Sequence, residues 1–179
     1  LNTSPTRRSS DLLFALQHRG QESAGLAVAD GTGIVRHRGR GLVAEAFNEE
    51  HIAALSEHNP HLGIGHVRYS TAGASDLISS QPLLHYDEQV GGLKIALAHN
   101  GNLVGAGQLR RELEAGGAHF ATMSDTEVIL KLLHREYTGD IQEALVRTLL
   151  ALCGAFSLVL CTPAKLIGVR DPHGFRPLC

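Results

Sequence analysis

The run Leu93-Lys94-Ile95-Ala96-Leu97-Ala98 is nearly all apolar and stops abruptly at His99-Asn100-Gly101. Side chains of a strand alternate between two faces, so a strand apolar at almost every position meets water on neither. The spacing therefore predicts a strand over 93–98 with cover on both sides. Residues 26–29 and 34–37 flank Asp30-Gly31 and read as a hairpin. Residues 155–161 and 165–169 read as another about Thr162-Pro163, and 63–69 as a further strand. A short helix is expected over 49–57, ended by Asn59-Pro60, and the end of another over 12–17, capped by a left-handed Gly20. Ser124-Asp125-Thr126-Glu127 has the capping-box pattern ahead of Val128, Ile129, Leu132 and Leu133, and a second helix follows from Ile141 past Leu149. Strands in hairpins and helices in a later pair predict an α+β fold with mostly antiparallel sheets.

Charge narrows the function classes. Lys+Arg 16 against Asp+Glu 18 gives −2 over 179 residues, which lacks the basic excess of a nucleic-acid binder. No apolar run approaches the roughly 18–20 residues of a membrane helix, so no membrane partner is expected. Cys153, Cys161 and Cys179 make neither a paired framework nor a C-x-x-C, which suits a reducing, cytoplasmic setting. Residues 1–11 are polar and aperiodic and do not begin with Met, so they are expected to be a non-native or disordered leader. The stop at Pro177-Leu178-Cys179 follows a dense turn, and residues 12–179 are expected to be a domain incomplete at both ends.

Several motifs fall away on inspection. Gly63-Ile64-Gly65-His66-Val67-Arg68 lacks the third glycine of a dinucleotide fingerprint and sits in a strand. His58, His61 and His66 have no zinc spacing and read as solvated loop histidines, so no metal site is expected. Cys153 and Cys161 read as small core residues. Three polar islands remain, each at the end of a strand or the start of a helix. Arg68 is a bidentate carboxylate binder beside Ser70 and Thr71. Asn100 next to the Gly101 N–H offers two donors that can converge on one oxygen. Asp125, with Ser124 as cap, keeps a carboxylate for an ammonium group. Together they suit a free α-amino acid with a side-chain amide.

The stretches Leu16–Gly25, Gly65–Gly73, Gln81-Pro82, Ala98–Leu103, Ser124–Glu127 and Val169–Leu178 together resemble the glutaminase domain of the amidophosphoribosyltransferases. These are class II glutamine amidotransferases that commit phosphoribosyl pyrophosphate to purine synthesis. The resemblance implies an N-terminal-nucleophile hydrolase fold, a four-layer αββα sandwich. It implies a cysteine at the mature N-terminus as nucleophile, its α-amine as general base, and ammonia passed to a phosphoribosyltransferase domain. Arg68 and Thr71 would hold the glutamine carboxylate and Asp125 its ammonium. Asn100 and Gly101 would form the oxyanion hole, with Arg19 and Gly20 lining the pocket.

No cofactor is implied for this stretch. Mg2+ with phosphoribosyl pyrophosphate belongs to the transferase domain, and an iron–sulfur cluster, like the homo-oligomer of the family, involves other segments. The nucleophilic cysteine and the transferase domain are absent from these 179 residues, so glutamine hydrolysis is not expected of them. Gly105 stands where the family pattern has Asn, at an expected helix start. The alternatives are the glutaminase unit of the hexosamine-forming transaminase and a non-catalytic amino-acid sensor. Gln17-His18-Arg19-Gly20-Gln21-Glu22 and Arg38–Val43 favour the phosphoribosyl enzyme.

Overall fold

The computed structural model describes residues 5–69, 77–87 and 92–179. The chain runs α1 (Pro5–Ala15), β1 (Ser23–Ala29), β2 (Ile34–Arg40), α2 (Val43–Ala46), α3 (Glu49–Ser56) and β3 (Leu62–Arg68). It continues with β4 (Leu83–Asp87), β5 (Leu93–Leu103), α4 (Ala106–Ala115), α5 (Asp125–Glu136), α6 (Ile141–Ala151), β6 (Gly154–Cys161) and β7 (Leu166–Arg170). The strands form two antiparallel sheets, ordered β2-β1-β3 and β4-β5-β6-β7.

The period-two pattern sorts side chains into layers. Ala27, Ala29 and Ile64 of the first sheet meet Ala96, Ala98 and Cys161 of the second, and these mostly small side chains let the two sheets lie close together. The alternate residues Leu26 and Val28 face outward onto Leu13 of α1, Val43 of α2 and Leu55 of α3. Ile95, Leu97, Phe156 and Leu158 face outward from the second sheet onto Ile129 and Leu133 of α5 and Leu145 of α6. The order helix, sheet, sheet, helix is the expected αββα sandwich, and β5 is covered on both faces as its composition predicts.

Four local expectations are corrected. Pro5–Asp11 is the first part of helix α1, against the disordered alternative for that leader; Thr6 and Ser10 are buried and Leu13 anchors the helix to the first sheet. The left-handed cap expected at Gly20 is absent: the backbone there is extended (φ −171°), after a 3-10 turn over Gln17–Arg19. β5 does not stop at Ala98 but runs to Leu103. Cys153 is exposed, while Cys161 is buried as expected. The α4 helix begins where a helix start was expected at Gly105, but its extent was not read because, of its ten residues, only Leu113 is buried. Its N-cap, Gly105, is left-handed (φ 75°), a conformation Asn also tolerates, which fits either residue at that helix start.

Candidate functional site

The register of β5 builds the site. β4 pairs with β5 only as far as Leu83↔Leu97, so beyond Leu97 that edge of β5 is uncovered by β4. On the opposite edge Asn100 lies across from Ser157 and Gly101 from Phe156. Phe156 turns its backbone away from β5: its N–H donates to Asp171 Oδ2 at 3.3 Å and its C=O accepts from Asp171 N–H at 2.9 Å. The Gly101↔Phe156 pair is therefore the non-hydrogen-bonded type, and the Gly101 N–H points away from β6. The same alternation sends the His99 N–H to Gln81 Oε1 at 2.6 Å and the Leu103 N–H to Asp125 Oδ2 at 2.9 Å. Between these two capped donors lies the Gly101 N–H.

That edge faces a cleft of about 920 Å3, whose walls include Arg19, Arg68, Asn100, Gly101 and Asp125. Five of the seven candidate residues thus share one cavity. Gly20 does not line it but backs Arg68 closely: a Cβ on Gly20 would lie 2.6 Å from the Arg68 carbonyl carbon. Glu22 N–H donates to Arg68 C=O at 3.0 Å and fixes the same end of β3. Thr71 lies outside the described residues.

Arg68 Nη1 is buried and has no partner among the described residues. A desolvated guanidinium N–H left unmade costs about 1–3 kcal/mol, more for a charged group, so it is poised for an incoming acceptor. Asp125 opens α5 beside the Ser124 cap, whose Oγ accepts from Thr126 N–H at 3.1 Å. The reciprocal half of the capping box does not form. Glu127 instead accepts from Ala121 N–H (2.9 Å), Thr122 N–H (2.6 Å) and the Thr122 hydroxyl (2.7 Å), holding the loop before the helix. One bond from Leu103 leaves the Asp125 carboxylate with lone pairs for a cation.

Three cleft residues were not anticipated as a group: His66, Gln81 and His99. His66 is half-buried in β3, not in a solvated loop, and its Nδ1 has no partner among the described residues. His99 Nε2 is likewise buried and unpartnered there. Burial pushes His66 down to about 4, helped by His99 and Arg68. Burial also brings His99 to about 4, with Asp125 opposing and Arg176 assisting. The signal for His99 lay in the sequence, as an ionisable ring closing an otherwise apolar strand. Gln81 stood out only within the Gln81-Pro82 stretch of the resemblance, and its role, capping a strand edge, is one that only the register exposes.

These depressed values set a pH dependence. A histidine whose folded value lies below its unfolded 6.5 stabilises the fold fully above 6.5 and loses that contribution as pH falls toward 4. For His99 the loss is on the order of 3 kcal/mol. The melting temperature is expected to fall between pH 6.5 and 4, and less steeply in His99→Gln; equal slopes by pH-resolved thermal melts would contradict this.

None of the three cysteines lines the cleft. Cys153 and Cys179 are exposed, and Cys161 lies between the sheets, where burial pushes its thiol up to about 11.

Residues 66–179 match the family described as the glutamine amidotransferase domain. An amidophosphoribosyltransferase of Methanocaldococcus jannaschii is 48% identical over 169 residues, 93% of this chain and 35% of that protein. One from Bacillus subtilis is 43% identical over 166 residues, 93% of this chain and 34% of that protein. Among solved structures, the glutamine phosphoribosylpyrophosphate amidotransferase of B. subtilis, complexed with ADP and GMP, superposes with a TM-score of 0.82 at 37% identity, over 96% of this chain and 35% of that one. A structure described as the allosteric regulatory enzyme of purine biosynthesis gives 0.83 at 39% identity, over 96% and 36%. The chain spans about a third of the length of each of these relatives.

Proposed function

The chain belongs to the glutamine amidotransferase domain family, and on that premise we propose that its cleft binds free glutamine as the glutaminase unit of an amidophosphoribosyltransferase. In that reaction ammonia released from glutamine displaces pyrophosphate from phosphoribosyl pyrophosphate, giving 5-phosphoribosylamine, the first committed step of purine synthesis. The observation that carries the reading is the outward Gly101 N–H in the same cleft as a cationic Arg68 and an anionic Asp125. Arg68 Nη1 donates to the substrate α-carboxylate, with Thr71 assisting. Asp125 receives the α-ammonium. Asn100 and the Gly101 N–H then face the side-chain amide, where they can donate to an oxyanion as negative charge develops on the carbonyl oxygen. His66 and His99 stay neutral at pH 7, so the cleft's charge pattern is set by the arginines and Asp125.

The test uses the 179-residue chain and calorimetric titration with L-glutamine. Glutaramic acid lacks the α-amine and 4-aminobutanamide lacks the α-carboxylate; each is expected to bind at least about tenfold more weakly, since either loses a charge-assisted contact. Equal affinity for all three would overturn the reading. Because none of its cysteines lines the cleft, this chain is expected to bind glutamine without releasing glutamate.

A further inference from the structure

Away from the cleft, β4 and α5 bring together a second group of ligating side chains. His85 and Asp87 stand two residues apart on β4 and so project from the same face of the strand. His134, in the last turn of α5, packs against that face with its ring centroid 4.5 Å from that of His85. His85 Nε2 and His134 Nδ1 are 2.9 Å apart, and His134 Nε2 is 3.4 Å from Asp87 Oδ2. One donor atom from each residue fits within 4.8 Å of the others, and all three are half-buried and open to solvent on one side. None of the three lines the cleft described above.

We propose that His85, Asp87 and His134 form a three-ligand site for a divalent transition metal of the zinc type, which ties β4 to the helix that covers it. Two imidazole nitrogens and a carboxylate oxygen are the ligand set of borderline metals, and three protein ligands leave a position for water. At Zn–N and Zn–O distances of about 2.0–2.2 Å, tetrahedral ligand atoms lie about 3.3–3.5 Å apart. A single ion takes only one nitrogen of His134, and with one donor atom per residue the set lies within 4.8 Å, so side-chain rotations that move these atoms by roughly 1 Å bring it to that spacing. Imidazole ligates a metal through an unprotonated ring nitrogen, and each of the two rings has one to offer within this cluster. Lys131 is a nearby positive charge that opposes a cation, and the Asp87 carboxylate offsets it. Mg2+ and Ca2+, which prefer oxygen ligands, are poor candidates for this set.

Eleven histidines give the chain other weak metal contacts, so the measurement is a difference between variants. The metal-stripped full chain is titrated with ZnCl2 by calorimetry, and with CoCl2 by visible absorption, beside His134→Gln and Asp87→Asn. The wild type is expected to take up one more tight equivalent of Zn2+ than His134→Gln. It should show intense four-coordinate Co2+ bands that this variant lacks, and rise several degrees in melting temperature with Zn2+ but not with Mg2+. Asp87→Asn should weaken that equivalent at least tenfold. Circular dichroism of the variants checks that each is folded. Identical zinc stoichiometry and affinity in wild type and both variants, or no equivalent bound by the wild type, would show a hydrogen-bonded His–His–Asp relay and overturn the proposal.

Discussion

Gly101→Ala is expected to lower the melting temperature by about 10 °C or more, or to prevent folding. The backbone at Gly101 has φ +151°, outside the range L side chains adopt readily, and an added Cβ would lie 2.1 Å from the Ala155 carbonyl oxygen and 2.7 Å from Phe156 Cα. Those atoms belong to β6, whose pairing with β5 forms the centre of the second sheet, so neither can move without opening the core. Backbone strain of about 1–3 kcal/mol and overpacking of about 1–3 kcal/mol add at one position. For a domain of this size each kcal/mol shifts the melting temperature by about 2–4 °C. Gly105→Ala is the control. Its φ is also positive, but nothing lies within 4 Å of an added Cβ, so its cost should be about 1 kcal/mol. Thermal melts of the two variants decide the point, and similar losses would mean that the close packing across Gly101 is not the cause.

Arg68→Met is expected to separate binding from stability in the opposite sense. Methionine keeps much of the apolar stem and removes the guanidinium, whose Nη1 is buried without a partner among the described residues. Losing one member of a desolvated charge pair costs about 2–5 kcal/mol in binding, so glutamine affinity should fall at least about 30-fold. The unliganded chain should melt no lower than wild type, because a charge that was desolvated for a ligand is gone. A large fall in melting temperature with unchanged affinity would instead make Arg68 a structural residue. Calorimetry and thermal melts on one preparation give both numbers.

The layered fold was readable because its layers are written in strand alternation. The apolar run around Leu97 requires cover on both faces, and the second sheet sits between the first sheet and α5 with α6. Helix α4 was readable only as a helix start at Gly105, since its stripe of Ala106, Leu109 and Leu113 is short and only Leu113 is buried. The residues of the cleft were legible as separate islands, but what joins them is register. That the Gly101 N–H faces outward depends on where β4 stops and on Phe156 turning toward Asp171, and neither is encoded near Gly101. The capping-box pattern at Ser124–Glu127 misled in a specific way. Glu127 found three donors in the preceding loop and so did not reach back to the cap. The His85–Asp87–His134 group was invisible because its members are 49 residues apart, and strand β4 itself went unread.

The most direct measurement is an amide-resolved NMR titration of the 179-residue chain with L-glutamine. The Gly101 amide and the Arg68 side-chain N–H signals should shift together along one saturable curve, while amides of the outer helices α3 and α6 stay still. Saturation that moves other residues and leaves Gly101 and Arg68 unshifted would contradict the cleft as the place where an amino acid is gripped.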